Sequence, residues 1–393
     1  MKRALLLILS VCILFVLSGI GTSGFIAEAE NEKSPEEQLM EEVDKTITDL
    51  ELGEFEDYIN NLEIFYNRGG IKAFIRDLSE GKIEMSPQNI LRLLFDTLTS
   101  GITKIIPSLI GIILIAVLFS LVFGLTQNFI KKQTVEIVYF VCYTAIITTV
   151  VAIVIGTVKE IKNTITALST IINGIYPPLI TLVTALGGGT SQGLFSPGLA
   201  VVGAVTSNVV TKVVLPLFIA SIVFCIVGNL SNNVKLDKLQ SATRYIAGGI
   251  MTITFGGLIA YLSISGLIGG MSDTASVKAT KYLVSSYVPL IGGYLSQGFD
   301  LVRVGMVIVK NALGVTGIII VFIVILAPAI KLLALTIGLK LTAGLIEPIT
   351  DKRMSGFING VAESTRQLLG AVLGVGFVFI ITISILLFTL NTI

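Results

Sequence analysis

Two stretches of the sequence combine proline, glycine and glutamine in a pattern that could form a polar site within apolar surroundings. Residues 176–209 open with YPPLI and contain SQG at 191–193, and residues 287–310 open with YVPLI and contain SQG at 296–298. Each glutamine amide offers both hydrogen-bond donors and an acceptor. The candidate pathway residues are Pro178, Gly187, Gly188, Gly189, Gln192, Gly193, Pro289, Gln297 and Gly298.

Proline and glycine at this density predict that no continuous helix runs through either stretch. The flanking residues are too apolar for a solvated loop, and broken helices at membrane depth need protein or a cavity around them. We therefore predict two re-entrant helical hairpins, whose helix ends could coordinate a polar solute or form a pore constriction. The alternative is that each SQG is merely a turn.

Four ionisable residues lie beside the predicted hairpins. At membrane depth such groups are costly enough to indicate a polar pathway or buried pairing. Asp300 and Arg303 could neutralise one another at i and i+3, and both lysines could instead reach the membrane interface by snorkelling. The candidate intramembrane charges are Lys212, Asp300, Arg303 and Lys310.

The two stretches also belong to an internal repeat. YxPLI recurs at an offset of 111 (287 − 176), and SQG recurs at 105 (296 − 191). Downstream, Thr243-Arg244 recurs as Thr365-Arg366 at an offset of 122. Each unit is predicted as a hairpin, an inward span, a cytosolic linker and an outward span, so the two form a tandem parallel repeat. Arg244 and Arg366 are the candidate cytosolic anchors of equivalent spans.

The composition of the chain is that of a membrane protein. Of 393 residues, 53% are hydrophobic and 13% are charged, whereas a soluble domain has about 25% charged residues. There is no histidine, which excludes histidine-based zinc sites and triads. Motifs for a metal cluster, a phosphate loop, a nucleophile elbow or nucleic-acid binding are missing from the sequence, so we predict a non-enzyme without a cofactor.

The elements that must position these residues are transmembrane helices. Apolar runs of about 20 residues predict six spans, and together with the hairpins they define an all-α polytopic membrane protein. The predicted spans are 105–127, 135–157, 213–230, 245–268, 313–333 and 367–389.

The N-terminal part differs in character from the rest. A basic n-region, a short apolar run and small residues near Ala27 predict a signal peptide over residues 1–29, with an uncleaved anchor as the alternative. Residues 28–100 hold 18 acidic and 7 basic residues, a net charge of −11. We predict that 30–100 is a small acidic helical extracytoplasmic segment, either with a solvated acidic face or with a docking surface. The predicted membrane modules are 101–175, 176–270 and 271–393.

The layout and the motifs resemble the stage III sporulation protein AE family of endospore-forming bacteria. The resemblance rests on residues 176–180, 187–193, 243–244, 287–291 and 296–298 and extends over essentially the whole chain. It implies a channel complex between the mother cell and the engulfed forespore, on which late forespore gene expression depends. It also implies residence in the mother-cell membrane around the forespore, and it assigns no substrate or catalytic residue.

Partners follow from the same resemblance. They are the other membrane proteins of the stage III sporulation A operon, including its ATPase subunit, together with a channel partner on the forespore side. The lipid bilayer is a further partner, and a homo-oligomer is an additional alternative. We predict a permease-like or channel-forming subunit. The alternatives are a non-conducting scaffold of the complex and an autonomous secondary transporter.

Overall fold

The computed structural model describes residues 35–50, 56, 69–82, 87–126, 132–230, 236–287 and 292–389. Within these residues the chain is helical and contains no strand. The chain forms two compact units, Met1–Glu41 and Glu42–Ile393. The predicted signal peptide lies outside the described residues, and the predicted module boundaries stay predictions.

The described residues form the following helices, in chain order. They are α1 (Pro35–Thr48), α2 (Ile71–Ser79), α3 (Pro87–Thr126), α4 (Lys132–Ala185), α5 (Gly189–Val209), a π-helical turn (Val210–Val214), α6 (Leu215–Leu230), α7 (Asp237–Tyr287), α8 (Gly292–Ile346) and α9 (Lys352–Phe388).

Six of these helical runs are long and apolar enough to cross a membrane, with α5, the π-helical turn and α6 counting as one run over Gly189–Leu230. This confirms the predicted all-α polytopic fold with six spans. The runs exceed the length of a span, however. The 54 residues of α4 rise about 80 Å, against about 30 Å for a hydrocarbon core.

The predicted interruption of the first stretch is present, but it lies at the glycines and not at the prolines. Pro177 and Pro178 lie inside α4, and Pro197 lies inside α5. Each proline removes a backbone hydrogen bond, but tertiary packing overrides this local preference where the surrounding side chains are buried. Tyr176 and Leu179 are both buried here.

The chain reverses instead at Leu186–Gly188, where Gly187 has φ +93, a conformation that favours glycine. Because α4 and α5 continue into the flanking spans, the structure does not confirm a separate re-entrant hairpin here. At the second stretch, α8 begins at Gly292 and runs through 296–298 without a break. Pro289 lies outside the described residues.

The centre of the bundle is filled by α9. In its apolar window 56% of the residues are buried, against 17% in α7. Close contacts with α8 account for part of this burial: a Cβ added at Gly376 would lie 2.2 Å from Ile325 Cδ1, and one at Gly314 would lie 2.2 Å from Leu387 Cδ2. Among the six candidate spans in the described residues, α9 is therefore the most buried.

Helices α7 and α9 lie side by side and run in the same direction. Gly374 faces Phe255, and Gly266 faces Ile385, so both contacts have an offset of 119 residues (374 − 255 and 385 − 266). The sequence copies on these helices are offset by 122, so equivalent residues lie at similar heights. The tandem repeat itself stays a prediction.

The acidic segment folds as helices near the start of the second unit. Val43 and Ile47 of α1 and Ile71 and Phe74 of α2 are buried. Arg76 Nε donates to Asp44 Oδ1 at 2.6 Å, which joins the two helices. The extracytoplasmic side predicted for this segment stays a prediction.

Candidate functional site

The reversal between α4 and α5 is held by a carboxylate from another helix. Asp273 of α7 is 1% exposed, and its two oxygens accept hydrogen bonds from the backbone N–H groups of Thr190 (2.9 Å) and Ser191 (2.7 Å). These donors belong to the first turn of α5, where the helix dipole favours a negative charge. Asp273 therefore fixes the tip, which we define as residues 186–191, to α7.

Small residues on α7 allow this close approach. A Cβ added at Gly269 would lie 2.8 Å from Ser191 Cα, and one added at Gly187 would lie 2.7 Å from Val277 Cγ2. The backbone of the tip thus lies directly on α7. The sequence analysis missed Asp273, although a lone carboxylate deep within an apolar helix is a recognisable signal.

The predicted pathway residues of the first stretch are dispersed around this tip. Pro178 and Gly188 are buried, whereas Gly187, Gly189, Gln192 and Gly193 are exposed. In the second stretch, Gln297 and Gly298 lie in the first turns of α8, and the Gln297 side chain is not among those the structure describes. The prediction that Gln192 and Gln297 occupy equivalent positions along a pathway therefore stays a prediction.

An open groove of about 810 Å³ lies beside the tip, between α7 and the end of α9. Its α7 wall includes Gly266 and Gly270, the neighbours of Gly269 under the tip, and ends at Lys278. Polar groups interrupt an otherwise apolar lining: Ser263, Thr274, Lys278 and Thr389. The groove is thus open on one side and mostly apolar, with polar side chains on α7 and one at the end of α9.

Lys310 of α8 binds the backbone at the C-terminal end of α9. Its side chain is fully buried, and Nζ donates to the backbone oxygens of Leu387 at 3.0 Å and Thr389 at 2.5 Å. A cation at a helix C-terminus binds carbonyls that have no helical partner and complements the dipole. The snorkelling alternative is wrong for Lys310, because its ammonium group does not reach the surface.

The four predicted intramembrane charges do not form one cluster. Arg303 is half-buried and acts electrostatically on Lys310. Lys212 is exposed and lies in the π-helical turn between α5 and α6. The side chain of Asp300 lies outside the described residues, so its neutralisation by Arg303 stays a prediction.

The predicted anchors Arg244 and Arg366 both act on a carboxylate that the sequence analysis missed, Arg366 through an ion pair and Arg244 electrostatically. Glu363 of α9 forms ion pairs with Lys340 of α8 at 2.6 Å and with Arg366 at 2.5 Å. Arg244 of α7 acts electrostatically on the same carboxylate, and Gln367 Nε2 donates to the backbone oxygen of Arg244. We call Arg244, Lys340, Glu363 and Arg366 the charged cluster.

The connection before α9 is fixed by its own capping residue. Asp351 accepts from the backbone N–H of Arg353 at 2.9 Å and from its guanidinium at 2.9 Å. Burial alone would raise the pKa of Asp351, but the hydrogen bonds and charge of Arg353 outweigh burial and hold that pKa below its ordinary value.

Within the described residues, no group of three or more His, Cys, Asp and Glu side chains could hold a metal ion.

Comparison with known proteins agrees with the motifs and the helical layout. The family model "Stage III sporulation protein AE" matches residues 70–389. A curated relative, Stage III sporulation protein AE of Bacillus subtilis (strain 168), is 22% identical over 379 residues, which cover 94% of this chain and 92% of the relative. No solved structure matches the chain. With its family match extending over most of its length, the chain belongs to the stage III sporulation protein AE family.

Proposed function

We propose that this protein is a permease-like, channel-forming membrane subunit of the sporulation transport complex between mother cell and forespore. Family membership supports a role in sporulation, and the six apolar helices support a multi-pass membrane protein. The observation that carries the proposal is the open groove between α7 and the end of α9.

The groove would serve as one wall of the pathway. Because α9 is closely packed inside the bundle, a solute would pass along the side of the bundle, and a neighbouring subunit would close the open face. Ser263, Thr274 and Lys278 supply hydrogen-bonding groups on that wall. Gly270 leaves open space beside them, since an added Cβ there would meet no atom within 4 Å.

The partners follow from the same assignment. We propose assembly with the other membrane proteins of the stage III sporulation A operon, including an ATPase subunit that supplies energy, and with a channel partner on the forespore side. The location would be the mother-cell membrane around the forespore, with residues 30–100 between the two membranes.

A non-conducting scaffold is the second candidate. The close packing of α9 and the tip held by Asp273 favour a scaffold, because a scaffold needs only a rigid framework. An autonomous transporter has less support, since the groove is open on one side and does not enclose a solute by itself. The channel-forming subunit and the scaffold differ in one requirement: only the channel-forming subunit needs the groove to stay empty.

Filling the groove should block the pathway. A Cβ at Gly270 would meet no atom within 4 Å, so Gly270→Phe fits the fold, and its ring would occupy the groove. We expect late forespore gene expression to fall about tenfold or more, because the pathway is constricted. The measurement is a forespore reporter in sporulating cells, with protein abundance determined in the same samples.

Gly257→Phe is the matched control. Gly257 lies on the same helix, is exposed and also has no atom within 4 Å of an added Cβ, but it does not line the groove. We expect normal expression with this variant. Normal expression with Gly270→Phe at normal abundance would contradict the pathway and favour the scaffold.

A further inference from the structure

The charged cluster holds more positive than negative charge. Both carboxylate oxygens of Glu363 are engaged, one by Lys340 and one by Arg366, and Arg244 adds a third cation. The side chains of Lys340 and Arg366 are 43% and 44% exposed, whereas that of Glu363 is 24% exposed. One carboxylate among three cations leaves a net charge of +2, and the more exposed side chains present it outward.

An exposed apolar strip lies on the same face of α9 as Arg366, one and three turns further along the helix. On α9, the next exposed positions after Arg366 are Gly370 and Phe377. A Cβ added at Gly370 would meet no atom within 4 Å. A cationic group thus adjoins an exposed apolar strip with open space at its start.

We propose that the charged cluster binds the phosphate of an anionic phospholipid, with an acyl chain lying along Gly370 and Phe377. The guanidinium of Arg366 suits a phosphate because its planar set of donors can form paired hydrogen bonds. Basic residues between transmembrane helices attract anionic headgroups. A zwitterionic choline headgroup would instead place its own cation beside a cluster of net charge +2.

This inference does not depend on the proposed pathway. The groove is formed by the 263–278 part of α7 and the end of α9, whereas the cluster lies on earlier residues of both helices and on α8. A lipid bound at the cluster would instead join α7, α8 and α9 at the point where their charged side chains meet.

The test measures lipid retained by the purified full chain. The protein is delipidated in mild detergent, incubated with phosphatidylglycerol or phosphatidylcholine, and examined by native mass spectrometry. We expect about tenfold more retained phosphatidylglycerol, because each Lys or Arg near the headgroup contributes to its binding. Arg366→Gln, which keeps the Lys340–Glu363 pair, should remove most of this preference, and Arg366→Lys should restore part of it.

Two further variants separate charge from the apolar strip. Gly370→Phe leaves every charge in place and fills the open space, so it should lower phosphatidylglycerol retention. If Arg366→Gln does not fold, Gly370→Phe decides the result. Lys352→Gln removes an exposed charge from the same helix outside the cluster and should change nothing.

The proposal is overturned if the wild-type chain retains both lipids equally or if Arg366→Gln keeps the preference. It is also overturned if inorganic phosphate displaces the lipid equally well from the wild-type chain and from Gly370→Phe. The site would then recognise free phosphate, without a contribution from the acyl chain.

Discussion

Asp273→Asn should loosen the tip and lower the free energy of unfolding by about 1–3 kcal/mol, because a buried charge-assisted acceptor is lost. The asparagine side chain has nearly the same shape but only one acceptor oxygen. In the native chain, the two carboxylate oxygens accept from the N–H groups of Thr190 and Ser191. With asparagine, the amide NH₂ would face one of these donors, which would stay buried without an acceptor.

The change is measured by thermal unfolding of the detergent-solubilised full chain, together with hydrogen exchange of residues 186–195. We expect faster exchange at the tip and a lower midpoint. Asp237→Asn is the matched control, since Asp237 is exposed in the first turn of the same helix, and it should leave tip exchange unchanged. Equal exchange in Asp273→Asn and the native chain would show that the carboxylate does not hold the tip.

Lys310→Met should destabilise the end of α9 by about 2–4 kcal/mol, because two buried carbonyl oxygens each lose a charged donor. Methionine has a similar length, so the change removes the ammonium group and largely retains the packing. The carbonyls of Leu387 and Thr389 would lose the hydrogen bonds from Nζ without a replacement, since a thioether donates no hydrogen bond.

The readouts are thermal unfolding and hydrogen exchange of residues 380–389. Lys212→Met removes an exposed lysine from the same bundle and should shift the unfolding midpoint little. Lys310→Arg retains a cation and should recover part of the stability. A native midpoint in Lys310→Met would mean that desolvation of the ammonium group offsets its hydrogen bonds.

The span positions could be predicted because they depend on local composition. Runs of about 20 apolar residues identify transmembrane helices wherever they pack. The six predicted spans all coincide with described helical runs, except that two of them extend one residue further, to 127 and 389. Pro177 and Pro178 do not interrupt the helix as their local preference predicts, because the burial of Tyr176 and Leu179 favours helix continuity. The glycines at 187–189 carried the correct signal for the reversal.

The contacts of the candidate sites depend on long-range packing. Asp273 lies 82 and 83 residues from its partners, and neither its neighbours nor its spacing identifies the tip as its target. Glu363 was missed for a related reason, because its pairing with Lys340 depends on how α8 and α9 face each other. Arg244 and Arg366 were recognised from their repeated motif, but their shared carboxylate follows only from the packed helices.

Thiol reactivity at two glycine positions of α7 tests the proposed pathway most directly. Gly270→Cys and Gly257→Cys are made in a chain whose native cysteines, Cys12, Cys142 and Cys225, are replaced by alanine. A bulky, water-soluble thiol reagent is then applied in sporulating cells with the space between the membranes opened. If the groove conducts a polar solute, the thiol introduced at position 270 reacts readily and its modification stops late forespore gene expression, whereas the thiol at position 257 reacts slowly and expression persists. Equal, slow reaction at both positions, or full expression after complete modification at position 270, would contradict a pathway through the groove.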